Sequence, residues 1–207
     1  MQIKYTSILL VILISITSCG QIDPNKQIDE GKVENNFYSS KEIGWTINIP
    51  NNWKVISREQ NEDYQKKGLD AIENIVDGEI DLSGLKNLIG FQKNKFNIFQ
   101  STSEPFEVEY VGEWEESNAG IKELIYNTYR DQGINVDSTA TKIIKVNGLD
   151  FYNYEFTIYS PKGDVILKQL IYGRLINGFD FSVNINYNNE SDKKEMLYVW
   201  QNSKFLK

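Results

Sequence analysis

The sequence predicts an α+β fold: an antiparallel β-sheet flanked by helices. Three observations point there. Phe179, Phe181, Val183, Ile185 and Tyr187 alternate with Asp180, Ser182, Asn184 and Asn186, the period-two pattern of a half-buried strand. Asn147-Gly148 and Asn177-Gly178 separate runs of this kind, and both central positions of a two-residue type I′ turn require positive φ. Elsewhere, near residues 58–76, 115–132 and 190–203, apolar positions recur with helical spacing.

Taken in order, Gly44-Trp45-Thr46-Ile47-Asn48-Ile49-Pro50 reads as a strand that ends at its proline, with Trp53 shortly after. Gly68, Leu69, Ile72, Ile75 and Val76 form one stripe of a first helix, and Asp77-Gly78 supplies its stop. Leu88–Gln92 and Phe96–Phe99 pair as a hairpin through Lys93-Asn94-Lys95, and residues 106–112 add a short strand. The second helix buries Ile121, Leu124, Ile125, Thr128 and Tyr129 and stops at Gly133. Four strands follow, over residues 139–146, 149–159, 164–176 and 179–187, with Pro161-Lys162-Gly163-Asp164 as the middle turn. The third is apolar on both faces in part, as a strand covered on both sides would be. The last helix buries Met196, Leu197 and Trp200.

The N-terminus carries different information. Lys4 precedes an apolar run from Ile8 to Ile16, shorter than the ~20 residues that span a bilayer core and matched to a secretory signal. Ile16-Thr17-Ser18-Cys19 then resembles a bacterial lipobox, a branched apolar residue and two small ones before cysteine. The resemblance implies cleavage after residue 18 and lipidation of Cys19, which anchors the chain because each buried CH₂ contributes ~0.8 kcal/mol. Gly20, with no aspartate beside the cysteine, favours the outer membrane by analogy with the best-known sorting rule. The expected organisation is a signal peptide (1–18), a lipidated Cys19 with a flexible polar tether (19–36), and one globular domain (37–207).

Gly44-Trp45-Thr46-Ile47-Asn48-Ile49-Pro50 followed by Trp53-Lys54-Val55 is similar to the opening of PsbP-like domains, and the order of elements after it fits as well. The resemblance implies an α/β/α sandwich around an antiparallel sheet, and a family whose members are mainly non-catalytic accessory or binding proteins, some of them bacterial lipoproteins. It brings no cofactor signature, and fold does not fix function.

Composition excludes several chemistries. The 207 residues contain no histidine and a single cysteine, so histidine-activated nucleophiles, imidazole metal sites and internal disulfides are ruled out. A formal net charge of -7 argues against nucleic acid, whose affinity comes from lysine and arginine at phosphates. No catalytic, cofactor-binding or metal-binding residue is assigned. The densest acidic cluster, Glu113-Trp114-Glu115-Glu116 with Glu107 and Glu109, suits a helix N-terminus; its alternative use is a carboxylate pair for glycan hydrolysis. Asp77-Gly78-Glu79-Ile80-Asp81 lacks the glycine and glutamate of a calcium loop, since Leu82 and Leu88 stand at those positions. Asp137-Ser138-Thr139 and Asn189-Glu190-Ser191 match short glycosylation patterns that recur by chance, and neither is assigned. The abundant aromatics of the meander read as core, part of which would line a cleft if a helix left the sheet uncovered. The expectation is a lipid-anchored, non-enzymatic envelope protein with a protein partner; a carrier of an apolar ligand between sheet and helix is the second reading.

Overall fold

The computed structural model describes residues 22–72 and 81–206, in which two antiparallel sheets and three helices form three layers. A short 3-10 turn (Pro24–Lys26) leads into β1 (Lys32–Glu34), β2 (Phe37–Ser39), β3 (Trp45–Asn48) and β4 (Lys54–Val55). Helix α1 (Arg58–Ile72) and the hairpin β5 (Lys86–Asn94) and β6 (Asn97–Pro105) follow, then α2 (Glu113–Asp131) and β7 (Asn135–Ser138). The meander comprises β8 (Lys142–Val146), β9 (Leu149–Tyr159), β10 (Val165–Ile176) and β11 (Phe179–Tyr187), and the chain closes with α3 (Glu190–Gln201) and β12 (Lys204–Phe205). The large sheet runs β4-β5-β6-β11-β10-β9-β7, with β8 also on β9; the small sheet runs β1-β2-β3-β12.

The turn chemistry operates as the sequence predicts. Asn147 and Gly148 have φ of 49° and 81°, Asn177 and Gly178 of 54° and 78°, and the strands pair directly across them at Val146↔Leu149 and Ile176↔Phe179. In the β5–β6 hairpin the turn falls later than Lys93-Asn94-Lys95, because Asn94 pairs with Asn97. The Asn94 side-chain oxygen accepts from the backbone N–H groups of Phe96 (2.9 Å) and Asn97 (3.1 Å), which fixes the turn around Lys95 and Phe96.

Each face of the large sheet has its own core. On one face the small sheet and α3 cover Phe181, Val183, Ile185 and Tyr187. There Trp45 and Trp200 are fully buried, 6.0 Å apart between ring centroids, and Phe91 stacks on Phe99 at 4.5 Å. On the other face α2 packs Ile125, Tyr126 and Tyr129 against Val136, Tyr154, Phe156, Ile158 and Ile171. Strand β10 serves both, with Leu170 and Tyr172 in the first core and Ile171 in the second, as its two-sided apolar pattern requires. One covering layer is thus two helices and the other a helix with a four-stranded sheet.

Several boundaries differ from those expected. Residues 106–112 are a loop: β6 ends at Pro105, which has no N–H to continue a ladder, and the Phe106 N–H bonds Gly178 O at 2.8 Å. The strand expected over 139–146 is two, β7 and β8, both on β9. The register passes from Ser138↔Phe156 to Lys142↔Asn153, so one extra residue bulges around Thr139. The tether expected over 19–36 folds from residue 22 onward. Ile28 and Val33 are buried in the main core, and Asn25 clamps Val33 through reciprocal bonds of 2.9 and 2.8 Å. Cys19, the signal segment, the end of the first helix beyond Ile72 and its Asp77-Gly78 stop lie outside the described residues.

Candidate functional site

Where α1 and α2 straddle the large sheet they leave a cleft of about 380 Å³, within the usual size range of small-ligand sites. Strict alternation makes its floor polar. Side chains of β6 and β11 that point away from the aromatic core meet across the sheet in three register pairs: Glu104 with Asp180, Thr102 with Ser182, and Gln100 with Asn184. Helix α1 contributes Tyr64 and Gln65 to one wall, and α2 contributes Asn118, Ile121 and Ile125 to the other. Tyr154, Gln169 and Ile171 close the end over β9 and β10.

Two carboxyl groups sit in this cleft without a counter-charge among the described residues. Trp114 donates its indole N–H to Asp180 Oδ1 at 3.0 Å. Burial nevertheless pushes the Asp180 carboxyl above its ordinary range, against the opposing effect of the Trp114 bond. Glu104 is also pushed up, first by burial and then by the charges of Asp180 and Asp81. Tyr154, at the end of the cleft, is raised by burial and by Asp180. Among the described residues, no lysine or arginine lines the cleft. Asp81 differs: it is exposed, and hydrogen bonds from Ser83 hold it below the usual carboxylate value.

Amide groups add unmet hydrogen-bonding capacity. Asn118 is 7% exposed, lines the cleft and has no side-chain partner among the described residues. Its position depends on Gly173: a Cβ there would lie 2.6 Å from Asn118 Nδ2, so any larger residue on β10 would force the amide to move. The Asn184 Oδ1 atom is enclosed without a hydrogen-bond partner.

The residues weighed from sequence lie elsewhere. Glu113, Glu115 and Glu116 occupy the first turn of α2, where negative charge complements the helix dipole. Glu113 accepts from the Glu109 N–H at 2.5 Å and Glu116 from the Tyr110 hydroxyl at 3.0 Å, and none of these glutamates faces the cleft. Trp114, in their midst, is the residue that reaches the site. Of the candidate calcium loop, residues 77–80 lie outside the described residues; among the described residues no group of three or more acidic or thiol side chains is arranged to hold a metal. Thr139 Oγ1 accepts the Glu155 N–H at 3.0 Å, and Asn189 caps α3 by accepting the Asp192 N–H at 2.9 Å, so both glycosylation-like motifs have structural work. The Asp180 face of β11 was legible from alternation, whereas the Gln100, Thr102 and Glu104 row was not, because β6 carries no apolar period beyond Phe99.

The architecture has a solved counterpart. The solution structure of cyanobacterial PsbP (CyanoP) from Synechocystis sp. PCC 6803 superimposes with a TM-score of 0.54 over 82% of this chain and 91% of that one, at 12% identity. The fold is PsbP-like. A crystal structure from Bacteroides thetaiotaomicron VPI-5482 matches with a TM-score of 0.44 and 13% identity over 84% of this chain, which spans 50% of that longer one. No family model and no curated protein sequence matches the chain. The PsbP-like fold therefore arrives without an activity attached, and the cleft between its helices and sheet is the feature from which a function is argued.

Proposed function

We propose that this chain is a lipid-anchored, non-catalytic binding or accessory protein of the cell envelope, and that the cleft between α1, α2 and the large sheet is its binding site. The cleft's own chemistry carries the reading: among the described residues Asp180 and Glu104 have no counter-charge in the cleft and the Asn118 amide beside them has no hydrogen-bond partner, so these are groups that a ligand would satisfy. The anchor rests on Ile16-Thr17-Ser18-Cys19, and placement in the outer membrane on the residue after the cysteine. The lining also bears on the carrier reading. Carboxylates, amides and hydroxyls form the floor, while Leu85, Ile121, Ile125 and Ile171 line other parts of the cleft, so a carried molecule would present polar groups to the floor on an apolar frame. A glycan hydrolase built on Glu113, Glu115 and Glu116 has no support from their placement at an exposed helix start.

The test is crosslinking of the tagged, lipidated protein in its native envelope, compared with Thr102→Tyr, which fills the floor of the cleft, and with Cys19→Ala. The expected result is a stoichiometric companion lost when the cleft is filled, together with palmitate labelling lost in Cys19→Ala. Turnover of a specific substrate by the purified domain, or a companion indifferent to Thr102→Tyr, would overturn the reading.

A further inference from the structure

We infer that the cleft recognises an organic cation, an aliphatic ammonium or guanidinium group seated on the Asp180–Glu104 pair; the inference rests on the binding-cleft reading above and specifies its ligand. Cross-strand partners on one face of a sheet have Cβ atoms about 4.5–5.5 Å apart, so one cation can contact both carboxylates at once. Like charges directly opposite each other destabilise a sheet. Here the pair is kept with no basic side chain among the described residues of the cleft wall to offset it. The cations of the neighbourhood are engaged elsewhere. Lys122 on α2 donates to Thr139 O at 2.6 Å and lies over the Tyr154 ring, and Lys86, in register with Ser103 on the opposite face, pairs with Glu42 at 2.6 Å.

Asp180 is held in place by its bond from Trp114, so the acceptor is oriented before a ligand arrives. An independent observation comes from Asn118, 7% exposed on the facing wall and without a hydrogen-bond partner among the described residues, which offers a neutral acceptor and donor to the remainder of the same ligand. A volume of about 380 Å³ accommodates a small amine or one extended lysine or arginine side chain. The shared chemistry is the cation, and it has two sources: a free small molecule or a side chain of a partner protein.

Calorimetric titration of the intact protein with cadaverine, agmatine and a glycine-flanked lysine peptide, against 1-pentanol as uncharged control, tests this. The diamine and agmatine should bind and the alcohol should not, with a change in tryptophan fluorescence that tracks the bound cation and is lost in Trp114→Phe. Binding should weaken about tenfold or more in Asp180→Asn and in Glu104→Gln, each of which removes charge while keeping shape. Binding of the peptide alone would assign the cation to a protein partner, and binding of the free amines to a small molecule; either supports the inference. No binding by any cation, or binding unchanged in the Asp180→Asn/Glu104→Gln double variant, overturns it. A cleft-dependent companion in the crosslinking experiment alongside failure of every cation would leave the binding-cleft reading standing and remove only the cationic ligand. Cation binding with no cleft-dependent companion would keep the cleft as a binding site for a free small molecule and remove only the protein companion.

Discussion

The indole N–H of Trp114 donates to Asp180 Oδ1 at 3.0 Å and thereby ties the helix that walls the cleft to the strand that floors it. Trp114 is 4% exposed and packs edge-on against Tyr152 at 5.2 Å, so its ring also contributes apolar contact between α2 and β9. Trp114→Phe keeps most of that contact but leaves a largely buried carboxylate without its donor. A loss of about 1–3 kcal/mol in denaturant unfolding is expected. The loss should shrink in an Asp180→Asn background, where no charge remains to be stranded. Equal losses in both backgrounds would mean that the charge of Asp180 adds nothing to what the Trp114 donor contributes.

The raised carboxyls of Asp180 and Glu104 give stability a definite pH slope. A group whose folded pKa exceeds its unfolded value binds more protons when folded, so stability falls as pH rises from the unfolded value through the folded one. Asp180→Asn and Glu104→Gln should therefore be more stable than the parent at neutral pH, with the advantage fading in acid. The effect is smaller for the more solvated Glu104. Glu155 behaves oppositely. Burial acts to raise it, but Lys168 at 2.9 Å and the Tyr187 hydroxyl at 2.8 Å hold it below the usual carboxylate range. Its contribution is present above the unfolded pKa and lost as pH falls through the folded one. Glu155→Gln should thus cost most at neutral pH and least in acid. Parallel slopes for Asp180→Asn and Glu155→Gln would contradict the assigned environments.

How much of this was legible follows local rules closely. Asn147-Gly148 and Asn177-Gly178 declare their turns because few residues accept two successive positive φ values, and β11 declares its faces because each apolar residue alternates with a polar one. The sequence pattern ends β6 at Phe99, because Gln100, Ser101, Thr102, Ser103 and Glu104 are polar on both faces, although Ser101 and Ser103 are buried. The cleft depends on that hidden row, and on Gly173 admitting Asn118, a contact between positions 55 apart that no local window contains. The N-terminal segment has the pattern of a tether because Ile28 and Val33 are isolated among polar residues. Val33 is buried through pairing of β1 with β2, and Ile28 where its stretch of chain meets β5 and α1, through the Asp29 N–H bond to Asn87 O and the Arg58 bond to Ile28 O; only tertiary structure reveals either.

Gly173→Ala tests the close approach of α2 to β10. The new Cβ would meet Asn118 Nδ2 at 2.6 Å and Trp114 Cζ2 at 3.6 Å, so the Asn118 amide must move within a site where it is almost fully enclosed. Overpacking of this kind costs about 1–3 kcal/mol. Asn118→Ala removes the obstructing amide, so the double variant should recover most of the loss. A Gly173→Ala penalty unchanged by Asn118→Ala would place the strain elsewhere on β10.

Removal of the segment before Phe37 should be far more damaging than its sparse apolar content suggests. Ile28 and Val33 are buried in the main core, and full burial of such side chains stabilises by about 1.5–3 kcal/mol each. Their removal would strip the partner strand from β2 and uncover Tyr38, whose hydroxyl donates to Glu30 O at 3.0 Å. It would also break the Asp29–Arg58 ion pair of 2.7 Å and the bond from Asn87 N–H to Asp29 Oδ2 at 2.8 Å, which tie the segment to α1 and β5. Together these approach the whole stability of an ordinary domain, about 5–15 kcal/mol. A chain starting at Ile22 should melt cooperatively, and one starting at Phe37 should be largely unfolded or aggregated. Ile28→Ala and Val33→Ala, each in the longer chain, should fall between the two. Equal melting temperatures for the two starting points would show that the segment lies on the domain without supporting it.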